Sequence, residues 1–192
     1  MNRLRPRPQL RLTLVLAAVA ATVLGLVSPA AAAPYCGLTW GSQPESRDTS
    51  ADTESLNGVR AGRHACFDRL VVDVGGQDST FGSYDVRYVP GVEAEGTGDP
   101  VPVLGGAVLQ IVVRAPAYDD LGATYQPTDP REVVRVSGWS TFRQVAWAGS
   151  SEGQTTLALG VRARLPFRVM TLDGTPDSDH TPRLVIDVAH RW

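Results

Sequence analysis

The chain has no lysine, and only two asparagines and two isoleucines among its 192 residues; all 18 basic residues are arginine. Lys, Asn and Ile have AT-rich codons, so their scarcity points to a GC-rich genome of bacterial type. Helical stripes are missing too: no stretch gives a long, clean 3.6-residue period, which argues against a helical bundle. Beyond the N-terminus no apolar run is long enough to cross a bilayer. Histidine is scarce, at three, and no His-Glu-x-x-His or comparable pattern exists. A zinc hydrolase therefore has no ligand set, and no metal or other cofactor is expected. What is present is ordinary globular material, 43% apolar and 20% charged, of a length that suits one domain with an appendage. The 14 prolines and 19 glycines are scattered, the mark of many turns.

Arg3, Arg5, Arg7 and Arg11 precede the apolar run Leu12 to Val27, and Ser28-Pro29-Ala30-Ala31-Ala32-Ala33 supplies small residues for a peptidase. That is the pattern of a secretory signal peptide over residues 1–32. Cleavage is expected after Ala32, because a cut after Ala33 would leave Pro34 first; an uncleaved anchor is the alternative. Tyr35 ahead of Cys36 puts a bulky ring where a lipobox needs a small residue, so lipidation is not expected. Residues 33–192 hold 14 arginines against 20 carboxylates, a formal charge of −6. Such a domain lacks the basic footprint that a phosphate backbone requires, so nucleic acid is not an expected partner.

Cys36 and Cys66 both lie in the exported part, where a disulfide persists. Closing a loop of about 30 residues would contribute roughly 3–4 kcal/mol in the chain-entropy model. A free or metal-binding pair, with His64 nearby, is the competing reading. Residues 33–62 read as a polar, turn-rich segment tied by this bond to a β domain over 63–192.

In that domain the dominant period is two. Leu109, Ile111 and Val113 alternate with Val108, Gln110 and Arg114 across Ala107–Arg114, and Leu157, Leu159 and Val161 alternate across Gln154–Val161. Tyr84, Val86 and Tyr88 alternate with Asp85 and Arg87, and Phe167 and Val169 flank Arg168. Val133–Val136 and Thr141–Ala148 are further candidate strands. Seven or eight short strands separated by Gly and Pro turns predict an all-β sandwich or a barrel, with a sandwich-like domain preferred.

A repeat is the strongest internal signal. Arg69-Leu-Val-Val-Asp-Val74 recurs as Arg183-Leu-Val-Ile-Asp-Val188, with five of six positions identical, so equivalent strands open and close the domain. If they are antiparallel neighbours with Val71 opposite Val185, Arg69 faces Asp187 and Arg183 faces Asp73. If pseudo-symmetry puts them in different sheets, each Arg bonds elsewhere or faces ligand.

The repeat with Phe67-Asp68-Arg69 and Pro182-Arg183-Leu-Val-Ile-Asp resembles the AMIN domain, a β-sandwich found beside cell-wall amidases and in pilus secretins. Over the whole exported chain the likeness is closer to the actinobacterial AMIN-like family. It is carried by Cys36-Gly-Leu-Thr-Trp-Gly-Ser, Arg63-His-Ala-Cys66-Phe-Asp-Arg-Leu, Arg114-Ala-Pro-Ala-Tyr-Asp-Asp, Phe142-Arg-Gln-Val-Ala-Trp-Ala-Gly and Pro166-Phe-Arg-Val. The resemblance implies a non-catalytic envelope module with peptidoglycan as ligand. No amidase domain follows within these residues, the lipobox of many relatives is missing, and no functional residue carries over.

Several motifs have a chemical reading. Gly149-Ser150-Ser151-Glu152-Gly153 matches the Gly-x-Ser-x-Gly nucleophile pattern, with Ser151 in the reactive slot and only His180 and His190 downstream as bases. The residues after it alternate as a strand, so a hairpin loop is the expected structure. Asp173, Asp177 and Asp179 share a loop without EF-hand spacing. Asp119-Asp120, adjacent on one loop, are badly placed to flank a glycosidic bond from two sides. For a binding module, rings that stack on sugars and arginines that hold carboxylates are the useful residues. The candidates are Tyr118, Tyr125, Trp139, Trp147, Arg143 and Arg168, with Trp147 sharing the strand parity of Val145 and so competing as core. The expected protein is a secreted, non-enzymatic binder of cell-wall glycan or peptidoglycan. An accessory protein bound to an envelope partner and a hydrolase using Ser151 are the alternatives.

Overall fold

The two-residue period becomes two packed sheets. The computed structural model describes residues 34–49, 54–75, 80–175 and 180–192, and within them every regular element is a strand. In chain order these are β1 (Glu45–Arg47), β2 (Ser55–Arg63), β3 (Phe67–Gly75), β4 (Tyr84–Val89), β5 (Val92–Glu93), β6 (Pro100–Val101) and β7 (Ala107–Val113). There follow β8 (Tyr118–Asp119), β9 (Gly122–Ala123), β10 (Phe142–Ser151), β11 (Gln154–Val161), β12 (Phe167–Leu172) and β13 (Arg183–Ala189). One antiparallel sheet has the order β1-β4-β7-β11-β10 and the other β12-β13-β3-β2, while β5–β6 and β8–β9 are short separate hairpins. Leu70, Val72, Val74, Leu184, Ile186 and Val188 of the four-stranded sheet meet Val86, Leu109, Ile111, Leu157 and Leu159 of the five-stranded one in a single core. Each such side chain contributes roughly 1.5–3 kcal/mol by leaving water. The domain is an all-β sandwich.

Two strands come from the segment that composition reads as turn-rich. A bulge between Leu56 and Gly58 shifts the parity of β2, so Leu56 and then Val59 and Ala61 turn inward, and no clean alternation survives in the sequence. Val133–Val136, expected as a strand, is irregular. Pro130 and the positive-φ Gly138 bracket it, and it lies along the outer edge of β10 on two bonds, Val133 N to Val145 O (2.9 Å) and Trp147 N to Pro130 O (2.7 Å). The segment thereby covers an edge that would otherwise offer free backbone groups.

The repeats are direct neighbours, with Arg69 opposite Asp187, Val71 opposite Val185 and Arg183 opposite Asp73. The first matched pair forms, as Arg69 donates twice to the fully buried Asp187 at 2.6 and 2.9 Å. The second does not. Asp73 instead takes Arg60 of β2 at 2.7 and 3.0 Å, because Gly58, opposite Asp73, leaves no side chain in the way. Asp68, also fully buried, accepts from Thr141 N (2.7 Å) and Phe142 N (3.0 Å) and lies 3.2 Å from His190 Nε2. It ties β3 to β10 and to the residues after β13.

The segment ahead of β1 joins both sheets. Gly41 exchanges two backbone bonds with Phe167 on the edge of one sheet, while β1 pairs with β4 in the other. Glu45 accepts from Val169 N at 3.2 Å and Arg47 donates to the Thr171 hydroxyl at 3.2 Å. The expected Cys36–Cys66 disulfide is formed, with a Cα–Cα distance of 6.4 Å, and fixes the start of this segment beside β3.

Tyr88 closes the far end of β4 by donating to Leu165 O (2.7 Å) and accepting from Leu165 N (3.0 Å). Burial, opposed by the bond from the Leu165 amide and by Arg164, pushes its phenol up to about 12. A raised acid gives stability that is complete below its unfolded value, about 10, and fades as pH climbs towards 12. Denaturant midpoints measured from pH 9 to 12 should fall, and Tyr88→Phe should flatten the decline. Tyr84 and Tyr125, also raised by burial, will keep part of it.

Candidate functional site

Alternation sends polar residues to the outer face of the five-stranded sheet. Pairing aligns Ser46 of β1, Asp85 of β4, Val112 of β7 and Thr156 of β11 in one row, and Arg87 with Gln110 in the next. Beyond the strand ends Arg114 follows β7, its amide bonded to Ser83 O, and donates to Gln154 Oε1 at 2.8 Å. Thr156 aside, these residues line a groove of about 450 Å³ with Asp48, and Arg47 and Tyr84 border it from the inward-facing positions of β1 and β4. Burial, aided by the Glu45 carboxylate and opposed by Arg47, raises the Tyr84 phenol, whose ring turns inward against Phe81 and the core.

The wall of the groove is Glu95, carried by the turn between β5 and β6. Val92 of that hairpin packs on Ala146, Ala148 and Ala158, a second small core on the outside of the sheet. Glu95 N donates to Ala148 O at 2.6 Å, and its carboxylate accepts from Thr156 (2.6 Å) and Gln154 (2.9 Å). This close approach requires Gly149, where a Cβ would stand 2.8 Å from that of Glu95. Glu152 and Gly153, with φ of 50° and 79°, form the tight turn between β10 and β11. Both glycines of the Gly-Ser-Ser-Glu-Gly motif thus have structural tasks. Ser151 lies on a strand–turn–strand, not the strand–turn–helix that a nucleophile elbow needs, and its hydroxyl is 3.5 Å from Glu95.

Charge in the groove is mixed. Arg87 Nε lies 3.2 Å from Asp85 Oδ1. Arg47 and Arg114 have neutral partners, a hydroxyl and an amide, and neither makes an ion pair with a carboxylate among the described residues.

The six ring and arginine candidates do not share a site. Tyr118 is exposed on the β8–β9 hairpin, its hydroxyl 3.4 Å from Gly153 N. Tyr125 and Trp147 pack on each other at 5.7 Å and on the core. Trp139 stacks on Phe142, and Arg143 donates to the carbonyls of both. Arg168 lies on the other sheet, donating twice to Asp187 at 2.9 and 2.7 Å. Around it Trp40, Phe67, His64 and Arg69 form a ladder of rings and guanidiniums. His64 and two guanidiniums already occupy positions on the Phe67 ring, so the ladder reads as structural packing. Asp119 caps its own turn through Leu121 N and Gly122 N. Asp177 and Asp179 lie outside the described residues, as does the expected signal peptide.

No motif marks the groove residues in the sequence, where large rings are the conspicuous binding candidates. The available signal was the outward parity of Asp85, Arg87, Gln110 and Arg114, which needed only the pairing of β4 with β7 to become one surface.

A two-sheet antiparallel sandwich with a polar groove on one outer face has the form of a small recognition domain. The chain belongs to the AMIN-like domain family, which matches residues 54–190. No curated protein and no solved structure matches it. Domains of this family are in general envelope-associated and extracytoplasmic, and a disulfide suits that compartment.

Proposed function

We propose that the protein is a secreted, non-catalytic module that binds peptidoglycan in the groove across β1, β4 and β7. The observation that carries this reading is the mixed lining of that groove, Arg87 and Arg114 beside Asp85 and Glu95 with the amides Gln110 and Gln154. Peptidoglycan offers carboxylates, amines, amides and hydroxyls at close spacing, and such a lining complements all four. The family points to the same compartment. The non-catalytic reading is supported by the hairpin setting of Ser151 and by the engagement of His190 with Asp68.

The test is sedimentation with purified, insoluble cell wall. The protein should pellet with it, and soluble fragments from muramidase digestion should release it. Protein that stays in the supernatant would contradict wall binding, and copurification with one envelope protein in place of the wall would favour the accessory role.

A further inference from the structure

The charge pattern says which part of such a polymer the groove reads. Resting on the wall-binding reading, we infer that it recognises the stem peptide, through a free carboxylate held by Arg114, and not the glycan strand. Sugar sites are built on ring faces that stack on pyranose surfaces, with amides and hydroxyls at the rim. The one ring that borders this groove, Tyr84, turns inward against Phe81 and the core, and the outward groups are guanidiniums, carboxylates and amides. Arg87 is matched by Asp85 at 3.2 Å. Arg114 spends its bond on Gln154, a neutral group, so its charge is available to an anion, whereas Arg47 turns inward to Thr171 of the other sheet. Planar guanidinium is the side chain best shaped for a carboxylate. Asp48, on the same lining, is the complementary group for an amine of the peptide.

Size agrees. The groove crosses β1, β4 and β7 and stops at Gln154 and Glu95 over β11. Three strand spacings make about 14 Å. Four extended residues span about 13–14 Å, the length of a tetrapeptide.

Calorimetric titration of the folded protein with three soluble probes decides the matter. These are a synthetic stem tetrapeptide with free carboxylates, the same peptide with its carboxylates amidated, and the wall disaccharide without peptide. The free tetrapeptide should bind, amidation should weaken it about tenfold or more, and the bare disaccharide should give no heat. Arg114→Gln, which keeps a donor for Gln154 while removing the charge, should weaken the free tetrapeptide by about tenfold and leave the melting temperature unchanged. A disaccharide that binds while the peptide does not would overturn the inference and leave wall binding standing. So would a protein that pellets with intact wall yet ignores the tetrapeptide, or an Arg114→Gln variant with unaltered affinity. Failure to pellet with intact wall would remove the broader reading as well.

Discussion

Asp187→Ala is expected to lower the stability of the domain by about 3 kcal/mol, read as a shift of the denaturant midpoint at constant m-value. The carboxylate is fully buried and takes two bonds from Arg69 and two from Arg168. Deleting it leaves two guanidiniums facing an empty space between β3, β13 and β12. Losses from broken buried pairs reach about 5 kcal/mol where the abandoned charge cannot reach water. Here the side chains of Arg69 and Arg168 keep 28% and 24% of their exposure, which places the loss at the lower end. A cycle on Arg69→Ala and Asp187→Ala should give a coupling of about 1.5–3 kcal/mol. Strict additivity would contradict the pair. Asp187→Asn should fall between wild type and alanine, since it keeps the shape and loses the charge.

The second large effect belongs to the disulfide. Reduction, or Cys36→Ser with Cys66→Ser, should cost about 3–4 kcal/mol in the chain-entropy account. The bond holds the start of a segment whose Gly41 and β1 bridge the edges of both sheets. Its release should therefore be visible before global unfolding, as protease cutting between residues 36 and 47 in the reduced protein only. Alkylation followed by intact-mass measurement should add no groups without reductant. Two added groups would show that the bond is not made, and equal protease resistance of the two forms would show that it does not hold the segment.

What was legible in the sequence was whatever depends on period and pairing. Ala107–Val113 has one buried face, so alternation marks it and a slip of one residue would invert the face, while Gln154–Val161 and Arg183–Ala189 are buried on both faces and are marked by large apolar residues alternating with small or polar ones. The repeat even carried its register, since matched Arg and Asp in antiparallel neighbours fall opposite each other. The second ion pair failed because the choice of partner for Asp73 was made by a third strand, β2, whose bulge hides it from periodicity. Val133–Val136 misled for a related reason: four residues rich in valine satisfy strand propensity, but the chain uses them as an irregular cover for β10.

The site was the least legible part. Tyr125, Trp139 and Trp147 are large enough to be drawn into the core whatever else they might do, and the structure uses them there. The groove is made of residues that are unremarkable one by one. Arg47, Asp85, Arg87 and Arg114 come from β1, β4 and the end of β7, and nothing in the linear sequence brings β1 beside β4. Arg114 does open one of the stretches on which the family likeness rests, the one pointer towards the groove that the sequence held.

The central claim is that the outer face of the five-stranded sheet is the wall-binding surface. Its most direct test compares wild type with an Arg114→Gln variant in sedimentation with intact, insoluble peptidoglycan, after equal melting temperatures have shown that both are folded. The variant is expected to remain in the supernatant at protein concentrations where wild type is found in the pellet. Equal recovery of both proteins in the pellet would contradict the assignment of the groove.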